Sequence, residues 1–189
     1  IARACGVYEG SLRSLIHLLK YRKMTPLAIP LAERMRGLIG ALGPVDVVVP
    51  VPLYRSRLWG RGFNQALTLS RLIARPAGLP HSNALCRRKR TRPQAGLSHS
   101  ARRRNVEGAF AVRDHGAIRG KRVLLVDDVM TTGATATACA KVLKRAGAVS
   151  VAVLTAARAK RRITVIDGAA AAGAATAGAT GSASTGGSA

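Results

Sequence analysis

Residues 123–135 read VLLVDDVMTTGAT, and the fold follows from how that stretch begins and ends. Residues 122–126, RVLLV, form a short continuous apolar run of the kind a parallel sheet buries on both faces. Two adjacent carboxylates, Asp127 and Asp128, close the run. The chain then passes through Thr131, Thr132 and Gly133 into a helical pattern over residues 133–146 that Gly147 terminates. A second apolar β-branched run, VSVAVL at 149–154, comes directly after. Strand, loop, helix and strand in that order predict a parallel pair with a helix packed across it. The carboxylates and threonines then lie at the carboxyl end of a strand, where open α/β sheets place their ligands.

The chemistry of that end is mixed in an informative way. Backbone N–H groups entering a helix have no carbonyl one turn earlier and carry partial positive charge, so they receive an anion. Gly133 permits close approach, and the threonine hydroxyls add donors. Thr131, Thr132, Gly133, Ala134 and Thr135 are therefore expected to hold a phosphate. Asp127 and Asp128 repel one, but they accept hydrogen bonds from neighbouring sugar hydroxyls or hold a metal-bound water. A solvated strand end explains two aspartates, and an ordinary helix start explains the threonines. Only both together in one turn point to a phosphorylated sugar.

Outward from this segment, residues 45–51 (VDVVVPV) read as a buried strand ended by Pro50 and Pro52. Asn64 caps a helix with Ala66, Leu67, Ser70 and Ile73 on its apolar face, stopped by Pro76. Residues 109–112 are a further short strand. Nearer the start, Ser11 precedes Leu12, Leu15, Ile16 and Leu19 at helical spacing, and Leu31, Met35, Leu38 and Leu42 repeat it. The expected architecture is a doubly wound, mainly parallel sheet flanked by helices, with a small N-terminal helical hood. The segments are a hood at 1–44, a core at 45–168, and a disordered tail at 169–189. That tail contains only Ala, Gly, Ser and Thr and has nothing to bury.

The chain has 189 residues with 31 Lys plus Arg against 8 Asp plus Glu, a formal charge of +23 that favours phosphate-bearing partners. Residues 86–104 hold 8 Lys or Arg and no acid, and read as a mobile basic loop. No aromatic residue lies between Phe63 and Phe110, so sequence-tolerant base stacking is unsupported there. No apolar run is long enough for a membrane span. Cys5, Cys86 and Cys139 are far apart and odd in number, against a disulfide framework and for a reducing cytoplasm. His17, His81, His99 and His115 fall in a helix, loops and a turn without catalytic company. The first residue is Ile1, so the sequence reads as a fragment lacking its true start.

Residues 123–135 resemble the phosphoribosyl pyrophosphate signature of type I phosphoribosyltransferases at all 13 positions. The wider chain resembles the ComF competence-protein branch through YEGSLRSLIHLLKY at 8–21, VPVPL at 49–53, RGFNQ at 61–65, Thr91 with Gln94, and Arg104-Asn105 before Gly108-Ala109-Phe110. The resemblance implies that Asp127 and Asp128 hold the ribose 2- and 3-hydroxyls and that residues 131–135 bind the 5-phosphate. It also implies that Arg55, Arg57 and Arg61 face the pyrophosphate, and that Arg92, Gln94 and Arg104 belong to a mobile loop over the reacting carbon. Mg²⁺ would be held through substrate oxygens and water near Asp127 and Asp128, with no direct protein ligand. The implied activity is transfer of a 5-phosphoribosyl group to a nitrogen acceptor. The competing implication is a DNA-uptake accessory protein that binds single-stranded DNA and partner proteins. Members of that branch commonly begin with a cysteine-rich zinc module, which Cys5 alone does not supply.

Overall fold

The computed structural model describes residues 1–22, 24–54, 59, 62–89 and 106–160. The elements are β1 (Ala2–Val7), α1 (Gly10–Tyr21), a 3₁₀ turn (Thr25–Leu27), α2 (Ala28–Arg36), a second 3₁₀ turn (Ile39–Leu42) and β2 (Val47–Pro50). They continue with α3 (Gln65–Ala74), β3 (Leu85–Arg87), β4 (Phe110–Val112), β5 (Arg122–Met130), α4 (Ala134–Arg145) and β6 (Ser150–Arg158). Four strands form one parallel sheet in the order β1-β6-β5-β2. β3 and β4 pair antiparallel beside it. The tail, Arg55, Arg57, Arg61, Arg92, Gln94 and Arg104 lie outside the described residues.

Alternation along β5 distributes the core. Val123 and Leu125 pack with Val47, Val49, Val153, Cys139 and Leu143 of α4, and with Leu85 and Phe110 of the small hairpin. Leu124 and Val126 point the other way, against Ile16, Leu19, Leu31, Met35, Leu69 and Ile73 of α1, α2 and α3. Both faces are covered, which is why β2 and the first part of β5 read as unbroken apolar runs.

Several boundaries differ from the sequence expectation. β5 does not end at Val126 but runs through both aspartates to Met130, because β6 extends to Arg158 and supplies partners for Asp127, Val129 and Met130. Residues 2–7, expected within a helical hood, form an edge strand paired with residues 153–158. α1 starts two residues earlier than expected, on an extended Glu9 that makes no side-chain cap; Ser11 lies inside the first turn. The second helical pattern breaks at Gly37, leaving Leu38 just ahead of a 3₁₀ turn and Leu42 at its end. Pro30 sits inside the first turn of α2, where its missing N–H would have no intrahelical partner anyway. Cys86 and Arg87, expected in a basic loop, are strand residues opposite Ala111 and Phe110.

Two fastenings hold β2, an edge strand, in place. Asp46 accepts from the Arg122 backbone N–H at 2.7 Å and from its guanidinium at 2.9 and 2.5 Å, which holds the Asp46 carboxyl down at about 2. On the outer side, Val48 N–H donates to the Pro80 carbonyl and Ser82 N–H to the Val48 carbonyl. Pro50, two residues on, faces that same outer side, where a missing donor breaks no ladder bond with β5. The Ser70 hydroxyl donates to the Leu67 carbonyl at 2.9 Å, so it accepts from His81 Nε2 at 2.9 Å. His81 is thereby a joint between α3 and the sheet edge.

Candidate phosphosugar site

All four sheet strands run the same way, so β1, β2 and β5 deliver their following residues to one edge. Tyr8, Val51, Pro52, Leu53, Asp127, Asp128 and Thr131 meet there around a pocket of about 250 Å³, with Lys20, Arg87 and Thr135. Asn64 fixes the far wall. Its Oδ1 caps α3 by accepting from Ala66 N–H at 3.0 Å, while its Nδ2 donates to the Val51 carbonyl at 3.1 Å. The expected cap is therefore present, and it also ties the start of α3 to the end of β2.

Because β5 continues past Val126, its two aspartates obey strand alternation. Asp128 follows Leu124 and Val126 onto the side of α1, where its Oδ2 pairs with Lys20 Nζ at 2.9 Å. Asp127 follows Leu125 toward α4, and its Oδ1 accepts from the Asp128 N–H at 2.9 Å. Adjacent in sequence, the carboxyls flank the strand end from two faces. Burial first, and the neighbouring Asp128 charge second, push the Asp127 carboxyl well above the usual carboxylate range. Lys20 and Arg87 act in the opposite sense.

Beyond Met130 the chain turns through Gly133, whose φ of 76° lies in the left-handed region that favours glycine. A Cβ there would meet only Met130 Sδ at 3.9 Å, so conformation rather than crowding selects the glycine. Thr131 and Thr135 reach the main pocket. Thr131, Gly133, Ala134 and Thr135 also line a small recess of about 30 Å³ with Asp127 and Thr155. Thr132 lines neither; its hydroxyl accepts from Ala134 N–H at 3.4 Å. The first turn of α4 and both carboxylates are thus within one edge of the sheet, as the sequence predicts. Thr155 is fully buried opposite Asp127, and its hydroxyl makes no hydrogen bond to the described residues.

Tyr8 and Lys20 fall within the YEGSLRSLIHLLKY stretch and Arg87 within the basic run, but nothing in those patterns marks them as site residues, and Thr155 belongs to no motif. Tyr8 is held where the chain leaves β1, its N–H donating to the Arg158 carbonyl at 2.8 Å. Arg87 stacks over the Phe110 ring at 5.2 Å and borders both this pocket and a wider adjoining one of about 560 Å³. As a metal site the donor set is sparse. Among the described residues no three His, Cys, Asp or Glu side chains come together, and one of the two carboxylates here already has a lysine counter-ion. The arrangement fits a Mg²⁺ whose ligands would be substrate oxygens and water.

Residues 64–170 match the family described as phosphoribosyl transferase domain, a span from the capping Asn64 past the end of β6. The chain belongs to that family. This phosphoribosyl transferase domain is 40% identical over 116 residues to Competence protein F of Haemophilus influenzae, covering 60% of this chain and 51% of that protein. It is 36% identical over 154 residues to the DNA utilization protein YhgH of Escherichia coli K12, covering 77% and 66%. Against Competence protein ComFC of Bacillus subtilis it is 34% identical over 103 residues, covering 53% and 39%. These relatives put the phosphoribosyl transferase domain in the ComF-like branch, of type I fold. The chain spans about half the length of the first relative and less than two fifths of the last.

Proposed function

We propose that the pocket binds phosphoribosyl pyrophosphate with Mg²⁺ and that the protein transfers its 5-phosphoribosyl group to a nitrogen acceptor. The observation that carries this reading is the meeting of Asp127, Asp128, Thr131 and Thr135 in one pocket at the carboxyl edge of a parallel sheet. The carboxylates accept from the ribose 2- and 3-hydroxyls, and the turn at 131–135 takes the 5-phosphate. That two-ended grip fixes the anomeric carbon between them, so orientation supplies part of the rate. Loss of pyrophosphate builds positive charge on the ribose and negative charge on the leaving group. Asp127 and Asp128 favour the first, and Lys20 and Arg87, on the opposite walls, favour the second. Mg²⁺ bound to the pyrophosphate would neutralise leaving-group charge further. Among the described residues of the pocket none is assigned the role of a nucleophile.

Mg²⁺, the donor, the role of Arg55, Arg57 and Arg61 and the closing of a loop with Arg92, Gln94 and Arg104 all belong to this proposal. A second reading, binding of single-stranded DNA in a DNA-uptake role, draws on the names of the relatives and the charge of +23. One set of titrations tests both. Saturable heat with phosphoribosyl pyrophosphate and Mg²⁺ that inorganic pyrophosphate does not reproduce is the expected result; equal binding of pyrophosphate would reduce the pocket to a generic anion site. For DNA, affinity for a short single strand that collapses steeply with salt indicates charge alone, whereas persistence near physiological salt supports the second reading.

A further inference from the structure

Lys20 stands in the pocket as a nearly buried cation. Its side chain and that of Asp128 are each only 14% exposed, and the ion pair at 2.9 Å crosses from the last turn of α1 to the end of β5. The lysine is firmly carried: Ile16 and Leu19, one turn and one residue earlier, are fully buried in the core beneath the sheet. An ammonium has three donors. Asp128 uses one, and the other two have no acceptor among the described residues. Desolvating a lysine to pair with one oxygen of one carboxylate is a poor bargain for stability alone. The geometry suits a group that waits for a second acceptor.

We propose that Lys20 is a specificity residue that reads the anionic group on the anomeric carbon of the donor while remaining bound to Asp128. This rests on the phosphosugar reading of the site. Asp128 there accepts from a hydroxyl of the 2,3-diol, and the 1-position is the next carbon, so a cation tied to Asp128 lies beside whatever the anomeric carbon carries. Lys20 thereby distinguishes a sugar bearing a pyrophosphate from one bearing a bare hydroxyl. It also couples the hood helix to the ligand: α1 holds the lysine, the lysine holds the carboxylate, and the carboxylate holds the sugar.

The test compares the affinities of phosphoribosyl pyrophosphate and ribose 5-phosphate, each with Mg²⁺, for the wild type, Lys20→Met and Lys20→Arg. A charge-assisted hydrogen bond lost only with the pyrophosphate ligand lowers the ratio of the two affinities roughly tenfold or more in Lys20→Met. Lys20→Arg keeps most of the preference. A merely structural lysine would move both ligands together, so an unchanged ratio in Lys20→Met overturns the inference while leaving the phosphosugar site standing. If the wild type binds neither ligand, the proposed function fails and this inference with it. Should Lys20→Met not fold, Lys20→Gln gives the same comparison.

Discussion

Asp127→Asn/Asp128→Asn is expected to lose phosphoribosyl pyrophosphate binding by about a hundredfold or more in calorimetric titration, with the fold intact by circular dichroism. Each carboxylate contributes a charged acceptor to a sugar hydroxyl, on the order of 1.5–3 kcal/mol apiece, and an amide replaces it with a neutral acceptor and an unwanted donor. Retained affinity in the folded double variant would remove the pair from the site. The single variants separate further. The raised Asp127 carboxyl means that, between its ordinary value of 3.8 and its own raised value, the folded chain holds a proton the unfolded chain has released. Stability is therefore lost as pH rises through that window, and Asp127→Asn should raise Tm at neutral pH. Asp128→Asn should lower it, because Lys20 is left without its counter-ion. Ligand binding in the wild type should weaken on mild acidification, at a pH where an ordinary aspartate would still be ionised, since Asp127 takes up its proton early.

Leu154→Ala should destabilise the protein by about 2–5 kcal/mol, a large part of the roughly 5–15 kcal/mol typical of a domain. Leu154 is fully buried on β6, paired in register with Val126 of β5, and packs in the core shared by α1, α2 and α3. A cavity there opens inside that shared core, whose packed neighbours close it only in part. Urea denaturation should show a lower midpoint at similar slope; a midpoint within experimental error of the wild type would mean that this layer collapses freely around the gap. The same core carries α1, so the variant should also loosen Lys20 and weaken ligand binding beyond what its distance from the pocket suggests.

How far the site is legible before folding depends on the range of the interactions that build it. VLLVDDVMTTGAT specifies strand, turn and helix through contacts a few residues apart: apolar runs, a left-handed glycine, a helix start without carbonyl partners. The Asn64 cap is local in the same sense, and it is found where the sequence places it. The end of β5 is different. From Val126 onward its length is set by a partner strand more than twenty residues away, and no propensity in DDVM announces an extended chain. β1 was hidden for the same reason: ARACGV is short and mixed, and only pairing with β6, some 150 residues later, makes it a strand.

The sequence by itself determined the strand, turn and helix that carry the aspartates and threonines, the cap at Asn64, the parallel arrangement, and the excess of positive charge. Each follows from periodicity, glycine conformation or counting. Only the tertiary structure decided that Asp127 and Asp128 face opposite sides of the sheet, because alternation matters only once the strand is known to continue. It alone brought Lys20 from the end of α1, Tyr8 from β1 and Arg87 from β3 to the same edge. Tyr8 and Lys20 share one stretch of sequence but leave different elements, Arg87 is far from both, and no spacing ties the three together. Their meeting is fixed by how the helices and hairpin pack on the two faces of the sheet, and that packing is a property of the whole core rather than of any segment in it.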